Sequence, residues 1–205
     1  MGERLLTEKI FFDTDCLSAF LWIREESILT KLYPGRIILP AQVYEELQRV
    51  PHLQARVDKI RNRGELKVET MEVGSEEYRD YVKMTVSPDK GIRIIGRGEA
   101  AGIAMAKNRN GVLASNNMRD VRLYVEKYRI AHITTGDILI EAMEAGMITE
   151  NDGNQIWADM IQKRRSLPTG SFSEYLKKNR NMLRSDLKEV KEESQYTEKD
   201  LGDER

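Results

Sequence analysis

An apolar run, Ile10-Phe11-Phe12, ends in two carboxylates, Asp13 and Asp15, with one residue between them. Three consecutive apolar residues read as a buried strand, and acids at its end cannot be explained by core packing. They mark the strand's C-terminal edge as the place for a site. Two chemistries suit such a pair. One is a nucleophilic aspartate in an Asp-x-Asp pair, which also needs a later lysine and acidic pair in defined loops, and these cannot be placed in this chain. The other is a dispersed acid cluster, for which the chain offers Glu46 in LPAQVYEEL and Glu99 in GRGEAAGIAMA. Taken alone, Glu46 reads equally as a surface helix residue beside Glu45, and Glu99 as an acid favouring a helix N-terminus. Asp13 has no such plain explanation.

The elements that must position these acids follow from patterning. Short β-like segments alternate with amphipathic helical ones, the signature of an α/β fold with a parallel sheet covered by helices. Strands are expected at 9–13, 36–39, 66–70, 111–114 and 130–133, with helices beginning near Asp15, Ala41, His52, Ser75, Gly98, Met118, Gly136 and Asp152. The chain divides into a polar leader (1–8), a domain (9–168) and a charged C-terminal tail (169–205). The tail is expected to be helical through SEYLKKNRNMLRSDLKEVKEE, with Tyr175, Leu176, Met182, Leu183, Leu187 and Val190 as a thin apolar stripe. It should contribute little core and end in a disordered SQYTEKDLGDER.

Composition narrows the function. The 205 residues suffice for one domain with a buried core and an appendage. Basic and acidic residues nearly cancel, 33 against 34, so any nucleic-acid surface must be local. The single cysteine, Cys16, excludes an internal disulfide and supports neither a zinc cluster nor a CxxC motif. No N-terminal stretch resembles a signal peptide and none is long and apolar enough to span a bilayer, so the expected location is cytoplasmic. The two histidines, His52 and His132, lie in no nucleophile-like motif, and His132 reads as a strand residue. Gly96, Gly98 and Gly102 lack the order and the following Lys-Ser/Thr of a phosphate loop, and read as turn and packing glycines.

Four segments, FFDTDCLSAFL, ILPAQVYEEL, GRGEAAGIAMAKNRNGVLAS and ITTGDILIEAMEAGMI, resemble the PIN-domain family in order and approximate spacing. The best-known members are metal-dependent ribonucleases, including the toxin halves of bacterial toxin–antitoxin pairs. The resemblance implies a PIN-like parallel sheet flanked by helices and a metal-dependent endoribonuclease hydrolysing RNA phosphodiesters. It further implies Mg²⁺ or Mn²⁺ as cofactor, RNA as substrate, an antitoxin protein as partner, and a homodimer. Asp13, Glu46 and Glu99 are the implied metal ligands. The chemistry agrees: a phosphodiester is anionic, and its hydrolysis at neutral pH is served by a cation held on hard oxygen donors.

One position departs from the family. A fourth acid is usual after the strand matching GVLA, and here the chain reads ASNNMRD, with Asn116 and Asn117 at that place. An amide oxygen can coordinate a cation but adds no Coulomb attraction. Asn117 is therefore a ligand candidate or the N-cap of a helix opening at Met118. Asp120 and Asp137 are nearby acids that could compensate, with Asp137 equally able to cap its own helix. Asp15 sits where the family often has Asn or Ser and reads as a helix cap or an outer group. Arg93 and Arg97 flank the Glu99 loop and are candidates for phosphate contact; Arg56, Lys59, Arg61 and Arg63 read as a solvated helix face. Tyr44 could face the same cleft, while Trp22 and Trp157 read as core or interface residues. A PIN relative that binds nucleic acid or regulates, with catalysis weakened by the two asparagines, is the alternative function.

Overall fold

The computed structural model describes residues 8–88 and 93–181. Five short strands form one parallel sheet: β1 (Ile10–Phe12), β2 (Ile37–Pro40), β3 (Leu66–Glu69), β4 (Val112–Ala114) and β5 (Ala131–Ile133), in the order β3-β2-β1-β4-β5. Parallel neighbours need crossovers, and the helices supply them: α1 (Thr14–Ile23), α2 (Glu26–Leu32), α3 (Ala41–Gln48), α4 (Pro51–Asn62), α5 (Glu76–Thr85), α6 (Arg97–Asn108), α7 (Met118–Tyr128), α8 (Thr135–Glu144) and α9 (Glu150–Gln162).

Side-chain alternation along the strands sorts the helices into two layers. Ile10 and Phe12 of β1, Ile37 and Leu39 of β2, and Val112 and Ala114 of β4 join one core with residues of α1, α4, α8 and α9. Phe11, Ile38 and Leu113, one residue out of phase, join the other with α5, α6 and α7. Both faces of the central strands are covered, which is why these strands read as unbroken apolar runs. Helix α6 is small-residue rich and buried from Ala100 to Ala106, so it can lie close against the sheet.

Two expectations change. Helix α2 was not anticipated: Arg24 adopts a left-handed conformation (φ 66°), ends α1, and the chain restarts as a seven-residue helix. Seven residues are too few to show a periodicity. The charged texture beyond residue 168 also fails to end the core. The chain is helical over 172–181, and Phe172 and Leu176, one helical turn apart, are buried in the first core. The absence of a side chain at Gly153 makes room for Phe172, whose ring carbon lies 2.3 Å from where a Cβ would stand. Gly136 accommodates Tyr175 in the same way. Met182, Leu183, Leu187 and Val190 lie outside the described residues, as does the C-terminal SQYTEKDLGDER. Among the described residues no helix is long and apolar enough to cross a membrane.

The sheet order fixes where a site belongs. After β1 the chain builds outward through β2 and β3, then returns past β1 to add β4 on its other side. The crevice outside the carboxyl ends of β1 and β4 is therefore the topological switch point. The Asp13 amide donates to the Ala114 carbonyl at 2.9 Å across it.

Candidate active site

Asp13 is the first residue past β1 and the N-cap of α1. Its Oδ1 accepts the Cys16 amide at 2.7 Å, whereas Oδ2 is buried without a hydrogen-bond partner among the described residues. The residue is 1 % exposed. Burial pushes its carboxyl up to about 7; the Ser115 hydroxyl and the Cys16 amide pull the other way, and the charges of Asp15 and Glu99 push it further up. The Ser115 hydroxyl is near enough to act on the carboxyl, yet Oδ2 has no hydrogen-bond partner among the described residues. The helix cap expected at Asp15 thus belongs to Asp13; Asp15 is exposed in the first turn, because α1 begins one residue earlier than its apolar pattern suggests.

Glu46 comes from the last half of α3 and is held at the junction of three elements. The Thr14 hydroxyl donates to its Oε2 in a short contact, and the Gly98 amide donates to Oε1 at 3.2 Å. A Cβ on Gly98 would stand 3.1 Å from both Glu46 Oε2 and Thr14 Oγ1, so the junction is built around a glycine. Glu99 follows in the first turn of α6, its carboxylate folded back over the N-cap Gly96. Asn117, after β4, donates through Nδ2 to Glu99 Oε1 at 3.3 Å and to Asp120 Oδ2 at 2.8 Å. It occupies the N-cap position of α7, but its side chain makes no cap bond.

The remaining candidates separate. Asp120 sits in the first turn of α7 and pairs with Arg93. Arg97 donates to the Tyr81 hydroxyl at 3.2 Å and pairs with Glu45 at 3.1 Å. Both arginines stand at the rim, more than half exposed. Asn116 turns away from the acids: its amide donates to Thr135 Oγ1 at 2.8 Å, and its oxygen accepts the Thr135 amide at 2.9 Å. Asp137 is a capping residue. Its Oδ2 accepts the Thr134 amide at 2.8 Å in a capping box, and its Oδ1 accepts the Tyr175 hydroxyl at 2.9 Å. Tyr44 donates to Asp58 on α4 at 2.7 Å instead of facing the acids. Of the basic face on α4, Arg56 is engaged by Glu26. His132 lies in β5 and donates from Nε2 to the Ser115 carbonyl at 2.9 Å, with its pKa lowered by burial. Trp157 is wholly buried, and Trp22 packs edge-on against His52.

Sequence reasoning missed Thr14 and Ser115. Thr14 is the middle residue of the Asp13-Thr14-Asp15 triplet, and Ser115 directly precedes the asparagines, so adjacency to candidates was the available signal. Among the described residues no three Asp, Glu, His or Cys side chains are gathered tightly enough to enclose one ion. What the crevice does offer is oxygen chemistry suited to a hard divalent cation: an orphaned buried carboxylate oxygen on Asp13, with Glu99 close enough to raise its pKa.

A parallel α/β domain with carboxylates at its switch point is the class of protein that fold and site define. Residues 9–181 match the PIN-domain family, and the chain belongs to it. No curated protein matches the chain. PIN domains are generally nucleases, acting as hydrolases on nucleic acid and typically using divalent metals.

Proposed function

We propose that the protein is a divalent-metal-dependent endoribonuclease, with Asp13, Glu46 and Glu99 as the residues that hold Mg²⁺ or Mn²⁺. The observation that carries this reading is the unpartnered Oδ2 of Asp13, buried at the switch point and costly to leave so in a protein with no ligand for it. A bound divalent ion supplies charge to the phosphodiester and lowers the pKa of an attacking water. Asp13 contributes a charged oxygen once it loses its proton, a loss that an incoming cation favours. Glu99 stands beside it, and Glu46 is reached by exchanging the Thr14 and Gly98 donors that now hold it. Arg93 and Arg97 at the rim attract the phosphate backbone without regard to sequence.

A weakened catalyst is the second reading, and Asn117 favours it. Its amide engages Glu99 where the family usually supplies a further acid, so a second cation would have less charge to hold it. The two readings part on incubation of purified protein with a panel of single-stranded RNAs and Mg²⁺ or Mn²⁺. Cleavage that disappears with EDTA and with Asp13→Asn supports the enzyme; binding without metal-dependent cleavage supports the alternative and refutes the first. Within the nuclease reading, a toxin role neutralised by an antitoxin and a homodimeric state are further proposals. Growth unaffected by induced expression of an active enzyme would remove the toxin role, and a monomer by light scattering would remove the dimer.

A further inference from the structure

Beside the acid crevice lies a cavity of about 400 Å³ that none of the roles above uses. Asn116 stands in its wall, and the next residue, Asn117, holds Glu99, so cavity and crevice share one loop after β4. Met118, Leu167 and Pro168 give it apolar sides. The helical segment over 172–181 supplies another wall, and Phe172 against Gly153 and Tyr175 against Gly136 hold that segment in place. Lys178 lies on this wall, exposed and without an ion pair among the described residues. Asn179, on the same wall, donates from Nδ2 to Asp137 Oδ1 at 3.4 Å, and its amide oxygen can meet the edge of a ligand.

We propose that this cavity is a subsite for one unstacked nucleobase of the RNA strand, adjacent to the phosphate held in the crevice. The inference rests on the nuclease reading above and adds what part of the substrate is recognised. A cavity of this size, apolar at its sides and polar at a few points, is of the kind that encloses a flat heterocycle and reads its edge. A splayed base places its ring between Met118 and the Leu167-Pro168 turn, its polar edge toward Asn179, and its phosphate within reach of the Lys178 ammonium. The segment beyond residue 168 thereby determines specificity, because it supplies one wall of the cavity through Tyr175, Lys178 and Asn179.

The test uses full-length Asp13→Asn protein and a fluorescently labelled single-stranded RNA octamer, followed by anisotropy in EDTA. Each nucleotide of the octamer is replaced in turn by an abasic one. One position should cost roughly tenfold in affinity, the scale of losing a single base contact. That penalty should shrink when Met118→Ala is added, whereas Lys178→Ala should weaken binding of the intact and abasic strands alike and flatten the salt dependence. Lys178 is exposed, so its replacement tests the pocket without threatening the fold. A flat abasic profile, one unchanged by Met118→Ala, or a salt dependence unchanged by Lys178→Ala overturns the subsite while wild-type cleavage of the same RNA leaves the nuclease reading intact. A free nucleoside monophosphate that binds as tightly as the strand would make the cavity a mononucleotide site and also overturn it. No RNA binding together with no cleavage removes both readings.

Discussion

Replacing Asp13 by Asn should stabilise the metal-free protein, and by an amount that grows with pH. The carboxyl titrates near 3.8 when unperturbed and is pushed up to about 7 by burial in the folded protein. Between those values the folded state binds more protons than the unfolded one, so stability falls as pH rises and the loss is complete once the folded carboxyl has ionised. Asn keeps an oxygen for the Cys16 amide, and so keeps the α1 cap, but has no proton to lose. From pH 5 to pH 8 the wild type should therefore lose about 3 kcal/mol relative to the variant, taking about 1.4 kcal/mol for each pH unit up to the folded value. For a chain of this size that corresponds to roughly 6–12 °C in Tm. Thermal melts of both proteins in EDTA at pH 5, 6, 7 and 8 measure it, with their difference cancelling every other titrating group. Saturating Mg²⁺ at pH 8 should then raise the wild-type Tm and leave the variant's unmoved, since the ion binds only the folded wild type. A difference between the two proteins that is constant across pH, or a wild type more stable than the variant at pH 8, would refute the assignment of a desolvated carboxyl to Asp13.

Three other substitutions test the neighbourhood. Asn117→Asp removes the donors to Glu99 and Asp120 and adds a charge beside them, so the metal-free protein should lose roughly 1–3 kcal/mol while Mg²⁺ affinity by calorimetry rises. Unchanged affinity would mean that Asn117 lies outside the cation's reach. Asp137→Ala removes a capping box and should cost about 1 kcal/mol in urea titrations with no change in metal affinity; a fall in affinity would make Asp137 a ligand after all. Phe172→Ala should cost about 3–5 kcal/mol, and a negligible cost would mean that the C-terminal segment is not part of the core.

The sheet was legible because its strands are short apolar runs bounded by turn residues, and their positions in the sequence nearly coincide with β1 to β5. The helices that bury one full side were legible too. Helix α2 was not, since a seven-residue helix after a left-handed Arg24 leaves no periodic trace. Nor was the role of the C-terminal segment: charge density there suggested a solvated tail, whereas two apolar residues spaced by four, Phe172 and Leu176, suffice to dock it. At the site, sequence could single out Asp13 from the apolar run before it, but it could not divide the capping role between Asp13 and Asp15. That division depends on α1 beginning at Thr14, a boundary one residue wide. The orphaned Oδ2 and the grip of Asn117 on Glu99 depend on side-chain direction and leave no mark in residue order.

Asn117 gains a second meaning from the electrostatics around it. The Glu99 charge opposes the ionisation of Asp13, which burial already disfavours. Glu46 is kept in place by Thr14 and Gly98, and Glu99 by the Asn117 amide that it shares with Asp120, so each of these two carboxylates outside the buried one meets a neutral donor. An aspartate at 117 would replace that donor with a third nearby charge and add to the cost Asp13 imposes on the metal-free fold. The asparagine therefore lowers repulsion before a cation arrives at the expense of attraction after it does. A site arranged this way should fill only at higher metal concentration than one with a fourth acid, and its occupancy should fall steeply below pH 7 as Asp13 takes up its proton.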